Sequence, residues 1–137
     1  MLGWPPGPAA APSQYPRRIM SISTVKLGGV VAEYVAAVNA FDEDAIVATF
    51  AGDALVNDVR REFWGQDAIR RWIREEIVGD RVTVEPIEVI EHHGETILRG
   101  RYDGEYDKTN LPDELILTGY FTVRDGQIVT LIIIHNV

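Results

Sequence analysis

Asp58 lies at the end of a largely apolar strand expected over residues 53–59, and a basic pair, Arg60 and Arg61, follows after Val59. A carboxylate held in an apolar pocket has its pKa raised and can move a proton to or from carbon as a general base. The same carboxylate could instead pair with Arg60 or Arg61, or close its strand into a turn. Arg101 and Asp103 lie two apart on an alternating segment and so share a face, where the guanidinium could hold and orient the carboxylate. Equally, Arg99, Arg101, Asp103 and Glu105 could form one solvated face, with Tyr102 and Tyr106 on the other. His135 ends an apolar strand, either at a cavity mouth or packed in the core. His92 and His93 fall in a turn and read as solvated. No histidine and carboxylate set has metal-ligand spacing.

The totals narrow the partners. With 137 residues the chain has room for one core, and 46% hydrophobic against 25% charged residues is ordinary for a soluble domain. The absence of cysteine removes disulfides, thiolate metal sites and thiol nucleophiles. A formal charge of −8 with no Lys/Arg cluster argues against nucleic acid and anionic membrane surfaces, whose binding rests on neutralising phosphates. No apolar run approaches the roughly 20 residues that cross a bilayer. Residues 1–19 hold five of the seven prolines and read as a disordered or extended tail, with Met20 an alternative start. Prolines interrupt any signal-like run, so the cytoplasm is the expected location.

The elements that must position these groups follow from periodicity. Leu27, Val30, Val31, Tyr34, Val35, Val38 and Phe41 form one helical face. Asp42 suits the cap of a second helix carrying Ile46, Val47 and Phe50 and ending at Gly52. A strand over 53–59, a turn at Phe63-Trp64-Gly65 and a third helix with Ile69, Trp72, Ile73 and Ile77 follow, stopping at Gly79. From Arg81 the period changes to two: strands are expected over 82–90, 96–106, 115–123 and 128–135, with Pro86 marking an edge or bulge. Asp125-Gly126 is a tight hairpin turn. Helices first and antiparallel strands after give an α+β fold, with residues 20–137 as a single domain. A curved sheet around three helices leaves a cavity, and its apolar outer face is expected to pair with a second copy. Phe50, Val56, Trp64, Trp72 and Phe121, with Phe63 and Tyr120, are candidate cavity or core residues, so a ligand should be small and hydrophobic.

The run YVAAVNAFDEDAIVATFAGDALVND, the segment WGQDAIRRWI and the closing GYFTVRDGQIVTLIIIHN resemble the nuclear transport factor 2-like superfamily. Within it they resemble the group of SnoaL-like cyclases, ketosteroid isomerases and limonene-epoxide hydrolases. The resemblance covers roughly residues 27–137 and implies a cone-shaped, mixed but mostly antiparallel sheet wrapped around three helices. It implies Asp58 as the isomerase-like general base and Tyr34 as a donor to the substrate oxygen. Gly119 stands where the isomerase has its second, protonated aspartate. Arg101-Tyr102-Asp103 is similar to the hydrolase Arg-x-Asp, and Ile133 replaces that enzyme's further aspartate. The expectation is a cofactor-free isomerase or cyclase acting on a hydrophobic ketone, with Tyr34, Arg101 or His135 polarising the oxygen. Pocket lining by Gly119 and Ile133 belongs to the same expectation. The alternatives are a non-catalytic module for a lipophile or protein, and epoxide hydrolysis through Arg101 and Asp103.

Overall fold

The computed structural model describes residues 26–135, and the expectations for the proline-rich tail lie outside them. Helix α1 (Gly29–Asn39) buries Val30, Val31, Tyr34, Val35, Ala37 and Val38, the face its spacing predicts. Asp42 caps α2 (Glu43–Ala48) by accepting the Ala45 amide at 3.1 Å, with Glu43 and Asp44 at the positive end of the helix. That helix stops early because Thr49 turns its hydroxyl back to the Ile46 carbonyl at 2.6 Å. Phe50 therefore begins strand β1 (Phe50–Asp58) rather than extending the helix, and Gly52 lies within the strand instead of capping.

The expected turn at Phe63-Trp64 is a strand, β2 (Arg61–Trp64), paired antiparallel with β1. Helix α3 (Gly65–Trp72) continues through a π-helical turn, Ile73–Val78, to Gly79. Glycine is needed there for space, since a Cβ would collide with the Glu75 carbonyl that the wider turn brings inward. Strands β3 (Thr83–His92), β4 (Glu95–Asp103), β5 (Leu115–Arg124) and β6 (Gln127–His135) complete the chain. β4 ends at Asp103, so residues 104–106, expected in that strand, belong to the loop before β5.

The fold is α+β, a curved, unclosed six-stranded sheet in the order β2-β1-β6-β5-β4-β3. Only β1–β6 is parallel. Pro86 sits where both expectations meet, on the edge strand β3 and at a register shift between Pro86 and Glu88. The concave face packs Phe50, Val56, Phe121, Ile128 and Leu131 against Val31, Val38, Ile46, Ile69, Trp72 and Ile73 from the helices. Among the described residues no helix is long and apolar enough to cross a membrane.

Candidate active site

Strand alternation decides what enters the concave side. On β1 the residues Ala54 and Val56 are fully buried, so the next residue of that face, Asp58, points the same way from the strand end. It reaches a cavity of about 190 Å³ whose wall includes Asp58, Tyr34, Trp72, Tyr102, Ile77 and Ile133. Glu76, Asp80, Val82, Tyr106, Leu111, Leu115 and Leu117 complete it. Helix α1 supplies Tyr34, the end of α3 supplies Trp72, and the π-helical turn supplies Glu76 and Ile77.

Both hydrogen bonds to the Asp58 carboxylate fall on one oxygen. Trp72 Nε1 donates to Oδ2 at 3.0 Å, and an Arg61 guanidinium nitrogen donates to the same atom at 3.1 Å. Among the described residues, Oδ1 has no protein donor. Arg61 is more than half exposed and bound more closely by Glu76, at 2.6 and 3.0 Å. The Glu76 hydrogen bond is the main cause that raises the Arg61 pKa above its ordinary value. Asp58 thus has one oxygen oriented by two donors and one without a donor among the described residues.

Two phenols face that carboxylate. Tyr34 is 3% exposed, and its ring stands edge-on to Phe50 and Phe121 at 5.8 and 5.4 Å between centroids. Burial pushes its pKa well above the ordinary value, and the nearby Tyr102 and Asp58 groups raise it further. Tyr102 is raised for the same first reason, burial, with Asp58 adding to it. Both are therefore neutral donors at physiological pH. Neither hydroxyl has a hydrogen-bond partner among the described residues.

Of the residues singled out from the sequence, the structure brings Asp58, Tyr34, Trp72 and Ile133 together on one cavity wall. Phe50, Val56 and Phe121 lie in the packed core beneath the cavity. Gly119 is also inside the sheet but off the wall: a Cβ there would meet the Phe121 ring at 3.1 Å and Leu131 at 3.4 Å. Trp64 is a correction, since it is 64% exposed on β2 with its indole bonded to Glu62.

Arg101 and Asp103 are corrected as well. They point to solvent, Arg101 bonded to Glu85 and Glu114 at 2.7 Å each and Asp103 to Lys108 at 2.9 Å. The solvated-face alternative holds on β4: the inward residues are Leu98, Gly100 and Tyr102. His135 shares the face of Ile133 and pairs with Leu117 across β5, yet it is not part of the cavity wall. Sequence reasoning missed Tyr102 as a site residue, although the Arg/Asp alternation already placed it opposite the charged face. Glu76, Asp80 and Leu111 carried no signal, because a helical turn and two loops bring them in.

A fold of this order, with an acid in the wall of a cavity between sheet and helices, is that of a pocket protein. The SnoaL-like domain model matches residues 31–131, and the chain belongs to that family. A putative polyketide cyclase from Sinorhizobium meliloti is 31% identical, with TM-score 0.70 over 78% of this chain and 94% of that one. SalBIII, an epoxide hydrolase/cyclase-like enzyme of pyran ring formation in the polyether salinomycin, is 23% identical, with TM-score 0.68 over 78% and 88%. A ketosteroid isomerase-like protein from Catenulispora acidiphila, in complex with trimethylamine, is 16% identical, with TM-score 0.69 over 82% and 88%. No curated protein matches the sequence.

Proposed function

We propose that the protein is a cofactor-free isomerase or cyclase for a small hydrophobic ketone, with Asp58 as its general base. One observation carries the reading: Asp58 is oriented through Oδ2 by Trp72 and Arg61, its Oδ1 has no donor among the described residues, and it shares a cavity wall with two phenols unbonded among those residues. Oδ1 would take a proton from the carbon beside the carbonyl. The C–H electron pair becomes the C=C of an enolate, and the carbonyl π pair moves to oxygen, where the Tyr34 and Tyr102 hydroxyls donate. In isomerisation the Asp58 carboxyl returns that proton to another carbon. In cyclisation the enolate carbon bonds to a second carbonyl carbon of the same molecule, and the resulting alkoxide takes the proton. Tyr102 thus fills the donor role that the sequence had offered to Arg101 or His135.

Volume limits the substrate. An apolar cavity of about 150 Å³ is enough for benzene, so 190 Å³ suits a body of one or two rings better than a four-ring steroid. The direct test is deuterium exchange of α-protons in small cyclic ketones, followed by NMR. Wild type should accelerate it and Asp58→Asn should not; equal exchange by both removes Asp58 as the base. The second reading, a non-catalytic binding module, draws support from the Arg61–Asp58 ion pair at 3.1 Å. It expects ligand binding without exchange on any ketone.

The outer sheet face supports pairing with a second copy. Ile90, Ile97, Tyr120 and Ile132 stand in one cross-strand row over four strands, and Ile90 and Ile132 are 51% and 39% exposed. Such a row on a soluble protein marks an interaction surface.

A further inference from the structure

The cavity wall holds three carboxylates, Asp58, Glu76 and Asp80, and no lysine or arginine. Arg61, just outside it, bridges Asp58 and Glu76. Two other cations lie nearby and each has a carboxylate partner: Lys108 is engaged by Asp103 at 2.9 Å, and Arg81, next to Asp80 in the chain, by Glu105 at 3.8 Å. The Asp80 carboxylate has neither a hydrogen bond nor an ion pair among the described residues. One positive charge therefore faces three negative ones around a small space. The remaining wall is apolar: four aromatic residues, Tyr34, Trp72, Tyr102 and Tyr106, beside six aliphatic ones. Tyr34 adds an independent sign of a polar ligand: a hydroxyl on a residue 3% exposed, within the wall, with no partner among the described residues. A buried hydroxyl left unbonded is costly unless something bonds it.

From these groups we infer that the ligand is a lipophilic cation, a one- or two-ring body carrying a protonated tertiary amine or a quaternary ammonium. The inference rests on reading this cavity as the ligand pocket, and it names the substrate class. A neutral apolar ligand seated here would strip water from Asp80 and give nothing in return. An ammonium offsets that loss by charge, and tyrosine and tryptophan faces attract it through their ring quadrupoles. In the proposed reaction the ammonium would sit against Asp80 and the carbonyl against the two phenols, making the substrate an amino ketone. A positive charge near the developing enolate would further stabilise it.

The probe pair is benzyltrimethylammonium and its neutral carbon isostere, neopentylbenzene, compared by calorimetry at low salt, with phenylacetate as the anion. The cation should bind at least about tenfold more tightly than the isostere, phenylacetate more weakly than both, and the preference should shrink with added salt. Asp80→Asn should weaken the cation about tenfold and leave the isostere unchanged. The wild-type comparison stands without that variant should it fold poorly. Absence of saturable cation binding at millimolar concentration, or equal affinity for cation and isostere, overturns the inference. Ketone exchange separates the two readings. Exchange on neutral ketones without cation preference leaves Asp58 as base and removes the cation; cation preference without exchange does the reverse.

Discussion

Trp72 and Asp58 are joined within the cavity wall: the indole N–H, on a residue 1% exposed, donates at 3.0 Å to the carboxylate oxygen that Arg61 also reaches. The bond holds Oδ2 and leaves Oδ1 without a donor, so Trp72 is a positioning residue for the proposed base. Trp72→Phe keeps an aromatic in the core and removes the donor. It should cost about 1–3 kcal/mol in denaturant unfolding, from lost packing and the lost bond. If Asp58 acts as a base, kcat for ketone exchange should fall while KM changes little. An unchanged kcat would detach this bond from catalysis.

Tyr34 separates stability from activity. Its hydroxyl is buried and has no partner among the described residues, so Tyr34→Phe removes an uncompensated polar group. Unfolding stability should stay level or rise by up to about 1 kcal/mol. Exchange should slow by roughly a hundredfold to a thousandfold, the cost of losing one oxyanion donor. A variant that loses both stability and activity would show that the hydroxyl is structural instead.

The same phenols set an alkaline limit. Tyr34 and Tyr102 are both raised from the ordinary 10.0, first by burial. Below that value both folded and unfolded chains keep these protons, and the stabilising contribution is complete. As pH rises through it, the unfolded chain releases them first, so it binds fewer protons than the folded one and stability falls. Melting temperature should therefore begin to drop near about pH 10 and keep falling as pH rises further. Tyr34→Phe should flatten the decline, and an equally steep decline in the variant would count against this cause.

The fold was legible where local chemistry and tertiary packing agree. Helix α1 announced itself by spacing, and Asp42 capped the next helix as its type suggests. The hairpins show where legibility ends. Asp125 and Gly126 both take positive φ, as the Asp-Gly pair invites. Val59 and Arg60 form a similar turn, also with positive φ at both residues, yet neither residue type signals one. That is why β2 went unread and Trp64 was assigned inward. The site was half legible for a related reason. Asp58 and Tyr102 follow from strand alternation, whereas Glu76 and Asp80 reach the cavity only after a π-helical turn that no sequence period reports.

Pairing through the outer sheet face is tested by its most central isoleucine. Ile132 lies on β6 beside Tyr120 and is 39% exposed, so Ile132→Glu leaves the concave core untouched. Wild type should sediment as a dimer at micromolar concentration and the variant as a monomer with its fold retained. A monomeric wild type removes the pairing.

The β1–β2 turn invites the opposite kind of change, a gain in stability. Val59 and Arg60 sit at φ 48° and 73°, between Asp58 and its cross-strand partner Arg61. A β-branched residue is strained in that region, and Val59 at 44% exposure gains little from packing. The strain is held in place by bonds on both sides: the Val59 amide donates to the Ile133 carbonyl at 3.0 Å, and Asn57 Oδ1 accepts the Arg60 amide at 2.8 Å. Replacing the pair by Asn-Gly keeps both backbone donors and supplies the residues this turn favours. Stability should rise by about 1 kcal/mol, read from the denaturant midpoint at constant slope. Because the turn also sets the Asp58–Arg61 ion pair, ketone exchange gives a second readout. Greater stability with unchanged exchange means the strain is incidental. Greater stability with slower exchange means the turn holds the carboxylate in a working position that a relaxed loop does not.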